Sequence, residues 1–419
     1  MAEPEPPSLK RSLGLVDAVG IGLGAIIGAG IFVVIGVAAG VAGRGLLLSL
    51  VIGALVATAN ALSSAQLAAA YPQTGGTYEY GYRVLTPTVG FTAGWLFIVS
   101  KISAAGAVAL GLAGYIETLL PGMRPRLAAV VVVLLFTALN YFGIRRSSAA
   151  NLLIVAISLA ALLTFTVWGY SALRARAIFE VGTPGAGSIL QGAAIIFFAY
   201  TGYARVATLA GEVREPQRTI PRAIILTIAG AVLLYLAVAW VALRAVGSGA
   251  LASSPAPLHL AAGSIGGEAL QVIISVGALT AMLGVILSQL LGLSRMVYAM
   301  AGRRDLPSYL DHVHPVHGAP DRAVLVIGAI VAMVTLTIDL GPVAAAASFS
   351  ILVYYGIANV ASLRMPRAAK RFHDGIAWFG LAACVILALS LPRGTIAAGV
   401  AVLAIGLAGR ALLRRGRKD

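Results

Sequence analysis

Charge is the first thing this sequence is short of. Only 11% of its 419 residues are Asp, Glu, Lys or Arg, whereas soluble globular domains carry about a quarter. A chain so poor in charge cannot cover a water-exposed surface, which excludes an ordinary soluble fold. Acids are scarcer still, with 15 Asp and Glu against 30 Lys and Arg. Cysteine is nearly absent: Cys384 stands alone in an apolar run, so no internal disulfide can form and the redox compartment stays open. Also missing are the patterns that chemistry needs. No nucleophile–base constellation, phosphate-cradling loop or pair of carboxylates within an apolar run is visible, so neither an enzymatic activity nor a cofactor is expected. His312, His314 and His317 cluster beside Pro315 and Gly318, but their spacing fits no strong zinc pattern and no cysteine joins them. No metal site is expected there.

What the chain has is apolar residues, 59% of the total, with a mean hydropathy of +0.94. In a bilayer the outside of a protein is apolar as well, and the difficulty of covering the surface disappears. The 49 Gly and 18 Pro fit this reading, since both are commoner in membrane helices than in soluble ones. Runs of the roughly 20 apolar residues that a crossing needs fall near 14–41, 46–70, 91–116, 127–143, 149–170, 188–210, 221–244, 266–298, 322–338, 342–363, 375–391 and 394–412. They predict an all-α integral membrane protein of about twelve transmembrane helices. The run at 322–338 is short and ends at Asp339, which leaves eleven open. The acidic, Pro-rich stretch Met1–Ser8 carries no cleavable signal pattern.

The net charge of +15 reads as topology and not as nucleic-acid binding. Basic residues fall in short clusters between apolar runs instead of gathering on one face. With both termini cytoplasmic, 22 basic residues lie on the cytoplasmic side, seven on the other, and Lys101 inside the third run. An odd number of helices would put the Arg-rich end outside. A multi-pass protein of the cell membrane is expected, with the basic end from Arg410 to Lys418 meeting anionic lipid headgroups.

Two of the runs are interrupted. The first reads Gly20-Ile21-Gly22-Leu23-Gly24-Ala25-Ile26-Ile27-Gly28-Ala29-Gly30, five glycines in a stretch that must propagate a helix, each at a cost of about 1 kcal/mol relative to Ala. Gly20, Gly24 and Gly28 also fit a small-residue packing seam. The sixth contains Phe197-Phe198-Ala199-Tyr200-Thr201-Gly202-Tyr203. Interrupted helices at matching places in two halves point to a transporter's midplane binding site. Unwound backbone offers free N–H groups and a positive helix end for a carboxylate, and free carbonyls for an ammonium group or a cation.

Four ordered signatures carry a resemblance. They are Ile26-Ile27-Gly28-Ala29-Gly30-Ile31-Phe32; Tyr71-Pro72-Gln73-Thr74-Gly75-Gly76-Thr77-Tyr78-Glu79-Tyr80 followed by Gly94-Trp95; the stretch from Phe198 to Ile224 with Gly211-Glu212-Val213 and Pro216-Gln217-Arg218; and Ser294-Arg295-Met296-Val297-Tyr298 ending at Asp305-Leu306-Pro307. Together the chain resembles the amino acid–polyamine–organocation superfamily of permeases. The resemblance implies a leucine-transporter-like fold in which helices 1–5 (14–170) and 6–10 (188–363) form an inverted repeat. Helices 11 and 12 (375–412) follow, flanked by a tail at 1–13 and a basic tail at 413–419. It implies alternating access by a secondary transporter of amino acids, proton-coupled or exchanging. The substrate carboxylate would lie on the N–H groups of Ala29, Gly30 and Ile31. The ammonium would lie near the carbonyls of Ile26, Phe197 and Tyr200, with Gly202 in the same unwound segment and Phe198 as an aromatic gate or as plain packing.

Sodium-coupled relatives would place a hydroxyl on helix 8 where this sequence has Val285, with Thr280 or Ser288 as alternatives if the register shifts. Sodium wants oxygen ligands, and valine has none, so sodium coupling is disfavoured. Lys101 lies about ten residues into its helix, roughly 15 Å deep. A charge there costs at least about 2.5–3.5 kcal/mol and by default marks function. It is a candidate for proton coupling, although the family's lysine comes from helix 5, where this chain offers Ser158. Glu212, Arg218 and Arg222 are candidates for ion pairs closing a cytoplasmic gate, or for a solvated loop. Two alternatives stay open: a permease for polyamines or other organic cations, and a substrate-sensing receptor on the same fold. The acids nearest the spans, Asp17, Glu79, Glu117 and Asp339, all sit at helix ends, which disfavours a dication.

Overall fold

Helices make up nearly all of the computed structural model, which describes residues 13–71, 75–143, 148–173, 184–203, 206 and 213–415. Among these residues the one β pairing is an isolated parallel bridge between Leu13 and Val213. The first helix, α1 (Leu15–Ile26), is followed by a π-helical turn at Gly30–Val34, by α2 (Ile35–Ala42) and, after a tight turn at Gly43–Gly45, by α3 (Leu46–Ala70). Then come α4 (Thr77–Tyr80), α5 (Pro87–Leu119), α6 (Pro125–Tyr141), α7 (Ser148–Leu173) and α8 (Ala186–Phe197). The second part holds α9 (Pro216–Ser253), α10 (Pro257–Gly302), α11 (Asp321–Thr337), α12 (Leu340–Leu363), α13 (Asp374–Ser390) and α14 (Arg393–Arg415). By length and composition seven helical runs among the described residues are able to cross a membrane: Leu15–Ala70, Pro87–Leu119, Ala150–Ala172, Pro216–Ser253, Pro257–Gly302, Leu340–Leu363 and Arg393–Arg414. Pro125–Tyr141 and Asp374–Ser390 are shorter apolar helices.

Local chemistry sets the helix ends. Thr86 caps α5 by accepting from the Val89 N–H at 3.2 Å, with Pro87 at the first helical position. The helix expected from residue 221 begins earlier, at Pro216, and carries Pro221 inside it. A proline there has no N–H for the carbonyl four residues back. That carbonyl, of Gln217, accepts instead from the Arg371 guanidinium. The runs expected at 221–244 and 266–298 are also longer, because α9 and α10 continue across non-helical glycines, Gly247 (φ 77°) and Gly267 (φ 63°). The basic tail expected from 413 is helical as far as Arg415.

The helices pack with α12 along α5, α10 along α5 and α7, and α9 along α1 and α3, while α8 lies against α3. Apolar side chains face both ways. Leu233 is 71% exposed, Val167 69% and Leu389 67%, whereas Phe32, Tyr115, Phe197 and Tyr235 are fully buried. An apolar exterior on an apolar interior is the arrangement a bilayer requires.

One end of the bundle is tied by a buried ionic network. Asp305, just beyond α10, accepts from Arg410 Nε of α14 at 2.8 Å and from the hydroxyls of Tyr78 (2.9 Å) and Tyr82. Glu79 is paired with Arg83 Nε at 2.7 Å and with Arg303. Burial and then the Asp305 hydrogen bond push the Tyr82 phenol up to about 12, so it is a proton donor. The expectation that Arg410 reaches lipid headgroups is therefore corrected: its side chain is 4% exposed and turns inward to a carboxylate that is completely buried.

Candidate functional site: two helix breaks in contact

The first helix stops at Ile26. Ile27 is extended (φ −73°, ψ 108°), and the ladder resumes where the Phe32 N–H donates to Gly28 O at 3.2 Å. Gly20 and Gly24 are not part of the break: a Cβ on them would lie 2.7 Å from Leu152 Cδ2 and 2.5 Å from Val155 Cγ2, so they let α1 approach α7. The interruption falls on Ile27, Gly28 and Ala29. The restarted helix leaves its first donors, the N–H groups of Ala29, Gly30 and Ile31, without an intrahelical acceptor, and the last carbonyls of α1 are orphaned in the same way. The π-turn that follows has its Phe32 carbonyl bonded by the Tyr115 hydroxyl at 3.0 Å.

The second break begins where α8 gives way to a tight 3₁₀ turn, Phe198–Tyr203. Thr201 Oγ1 donates back to Phe198 O at 2.7 Å, and the Tyr355 hydroxyl donates to Thr201 O at 3.4 Å. The two breaks touch backbone to backbone. A Cβ on Gly30 would stand 2.3 Å from Ala199 Cβ, and one on Gly202 would stand 2.4 Å from the Ala25 carbonyl. Tyr235 of α9 joins them: its hydroxyl donates to Ile26 O at 2.8 Å and lies 3.5 Å from Ala199 O. The Tyr200 ring lies beside it, with centroids 5.3 Å apart.

A cavity of about 30 Å³ opens beside this junction, lined by Ile26, Gly28, Ala29, Gly30, Phe198, Ala199 and Thr201, and across from them by Ser100, Lys101, Val285 and Gln289. It has room for one or two water molecules, far less than an amino acid occupies. Of the residues singled out from sequence, Ile26, Ala29, Gly30, Phe198 and Lys101 share this cavity. Ile31, Phe197, Tyr200 and Gly202 flank the breaks without lining it; the Ile31 and Phe197 side chains are fully buried, and the Tyr200 hydroxyl donates to Leu50 O at 3.3 Å. The Lys101 ammonium sits 5.6 Å from the Phe97 ring centroid. Val285 meets the break directly, 3.0 Å from a Cβ placed on Gly28. Ser158 lies elsewhere, its hydroxyl 2.8 Å from Ile154 O and 3.3 Å from Gly277 O.

Of the gate candidates, Glu212 lies outside the described residues. Arg218 is 3.9 Å from Glu215, one turn away, with both side chains exposed, and Arg222 is exposed. A different link is present beside them, where the Arg214 N–H donates to Leu13 O at 2.9 Å and ties the start of the chain to the segment after the second break. Sequence reasoning missed Tyr235 and Gln289, because each stands in a helix whose pattern singles out no position.

The comparisons with known proteins agree with this architecture. The amino acid permease family model matches residues 17–408. The chain belongs to the amino acid permease family. This permease is 43% identical over 419 residues to an uncharacterised transporter of Mycobacterium tuberculosis, covering 99% of this chain and 94% of that protein. It is 30% identical to a branched-chain amino acid permease of Bacillus subtilis, covering 96% of this chain and 92% of the relative. It is also 30% identical to a methylthioribose transporter of the same organism, with 86% and 82% covered. The permease is thus a multi-pass membrane transporter for amino acids and not an enzyme.

Proposed function

We propose that this permease binds a free amino acid at the junction of its two helix breaks and releases it by alternating access. The observation that carries this is the contact between Gly30 and Ala199, beside a cavity lined by Ile26, Ala29 and Gly30 of the first break and Phe198 of the second. The donors of Ala29, Gly30 and Ile31 hold the carboxylate, and the carbonyls of Ile26, Phe197 and Tyr200 face the ammonium. Phe198 covers the bound side chain. The volume of about 30 Å³ means that the helices around the cavity must part to admit substrate.

Around this site we place twelve crossings arranged as an inverted repeat of five and five, with α1 and α8 opening the two halves. Both termini lie in the cytoplasm of a cell whose surface membrane holds the protein. In support, Arg83, Arg303 and Arg410, which charge counting assigns to one side, meet in one network. Transport is driven by protons through Lys101 or runs as exchange. Val285, which occupies the sodium-ligand position, supplies no oxygen. Arg218 and Arg222 form ion pairs that lock the cytoplasmic gate; Glu212, the third candidate, lies outside the described residues. Among the described residues no carboxylate lines the cavity, which disfavours a polyamine.

Purified protein in liposomes, given labelled amino acids and methylthioribose with and without pH and sodium gradients, tests this reading. Uptake of amino acids supports it. Uptake of methylthioribose alone would move the substrate to the class named for one relative.

A further inference from the structure

Tyr235 is a fully buried residue that no part of the substrate reading above uses. Its hydroxyl has one proton to donate and two carbonyls within reach, Ile26 O at 2.8 Å and Ala199 O at 3.5 Å. One closes α1; the other belongs to the turn after α8. We propose that Tyr235 is a positioning residue that senses the substrate's ammonium: it holds the Ile26 carbonyl until an amine arrives, then yields that carbonyl and donates to Ala199 O instead. This rests on the placement of the ammonium at Ile26 given above.

The exchange is favourable on general grounds. An ammonium makes charge-assisted hydrogen bonds, stronger than those of a neutral phenol. The displaced hydroxyl keeps an acceptor, so no buried donor is orphaned. Because Ala199 packs on Gly30, a hydroxyl drawn to Ala199 O adjusts the contact between the two breaks at the moment substrate binds. The tyrosine thereby links occupancy to the relative position of the two broken helices. A substrate lacking an amine cannot trigger it.

The test is binding of the standard L-amino acids, and of their amine-free carboxylic acid analogues, to wild-type protein, Tyr235→Phe and Gly30→Val. Removing the hydroxyl removes the competitor for Ile26 O, and because the longer bond to Ala199 O replaces only part of the one given up, Tyr235→Phe is expected to bind amino acids roughly two- to fourfold more tightly and to turn over more slowly. The amine-free acids should bind both proteins alike. Unchanged affinity, or affinity weakened tenfold, would overturn the proposal, since the first makes Tyr235 a bystander and the second a structural support or direct ligand. If Tyr235→Phe does not fold, 3-fluorotyrosine at position 235 replaces it: its fluorine resonance should shift with an amino acid and not with the amine-free acid, and a resonance indifferent to both contradicts the proposal. Gly30→Val separates the two claims. Undiminished binding in that variant would remove the site itself, whatever Tyr235→Phe does.

Discussion

Arg410 donates to Asp305 at 2.8 Å across 105 residues of chain, with side-chain exposures of 4% and 0%. Two charges so deeply buried are retained only when paired, and here the pair is shared with the hydroxyls of Tyr78 and Tyr82. The carboxylate thus joins α4 and the helical turn after it, the end of α10 and the last helix.

Breaking that pair from one side leaves an uncompensated buried charge, at a cost of about 3–5 kcal/mol. Arg410→Met and Asp305→Leu should each lower the thermal stability of the purified protein markedly. The double variant, which buries no charge, should recover most of the loss. Single variants as stable as wild type would show the pair to be solvated.

How far the sequence could be read depends on the range of the interactions. Apolar runs are local, and they located most of the helices to within a few residues, whereas α9 and α10 extend up to nine residues past the runs expected for them. The glycine-rich stretch showed that the first helix is interrupted, but only packing told the glycines apart: Gly20 and Gly24 seat α1 on α7, and the break falls at Ile27–Ala29. Tyr235 and Arg410 could not be assigned beforehand, because a tyrosine in an apolar helix and an arginine in a basic tail look like their neighbours until partners distant in sequence are in place. Lys101 stood out from depth alone, and it does line the cavity.

Gly30→Ala should sharply weaken amino acid binding, since its Cβ would stand 2.3 Å from Ala199 Cβ. Adding Ala199→Gly removes the nearest contact, leaving the Cα of residue 199 at 2.8 Å, and should restore a small part of the affinity. Equal binding by wild type and Gly30→Ala in equilibrium titrations would mean that the breaks need not approach.

Sodium should be dispensable. With Val285 at the helix 8 position, uptake into liposomes should run equally well when choline replaces sodium at clamped pH. A steep rise with sodium concentration would show that other oxygens, such as those of Thr280 or Ser288, complete a site.

Lys101→Ala should remove the dependence of uptake on a proton gradient while leaving some exchange. Lys101→Arg should fail in the same way, because a guanidinium does not give up its proton. If both variants accumulate substrate when driven by pH, Lys101 is structural and coupling lies elsewhere.

Whether substrate occupies the cavity between the breaks can be measured directly. Phe198 lines it, and the native Cys384 is buried against Asn60 at 3.2 Å and can be replaced by Ala to give a cysteine-free background. In that background Phe198→Cys should react with a small, membrane-impermeant thiol reagent during cycling, and a saturating transported amino acid should slow the reaction strongly. Labelling at an unchanged rate, in protein that still transports that amino acid, would place the substrate elsewhere.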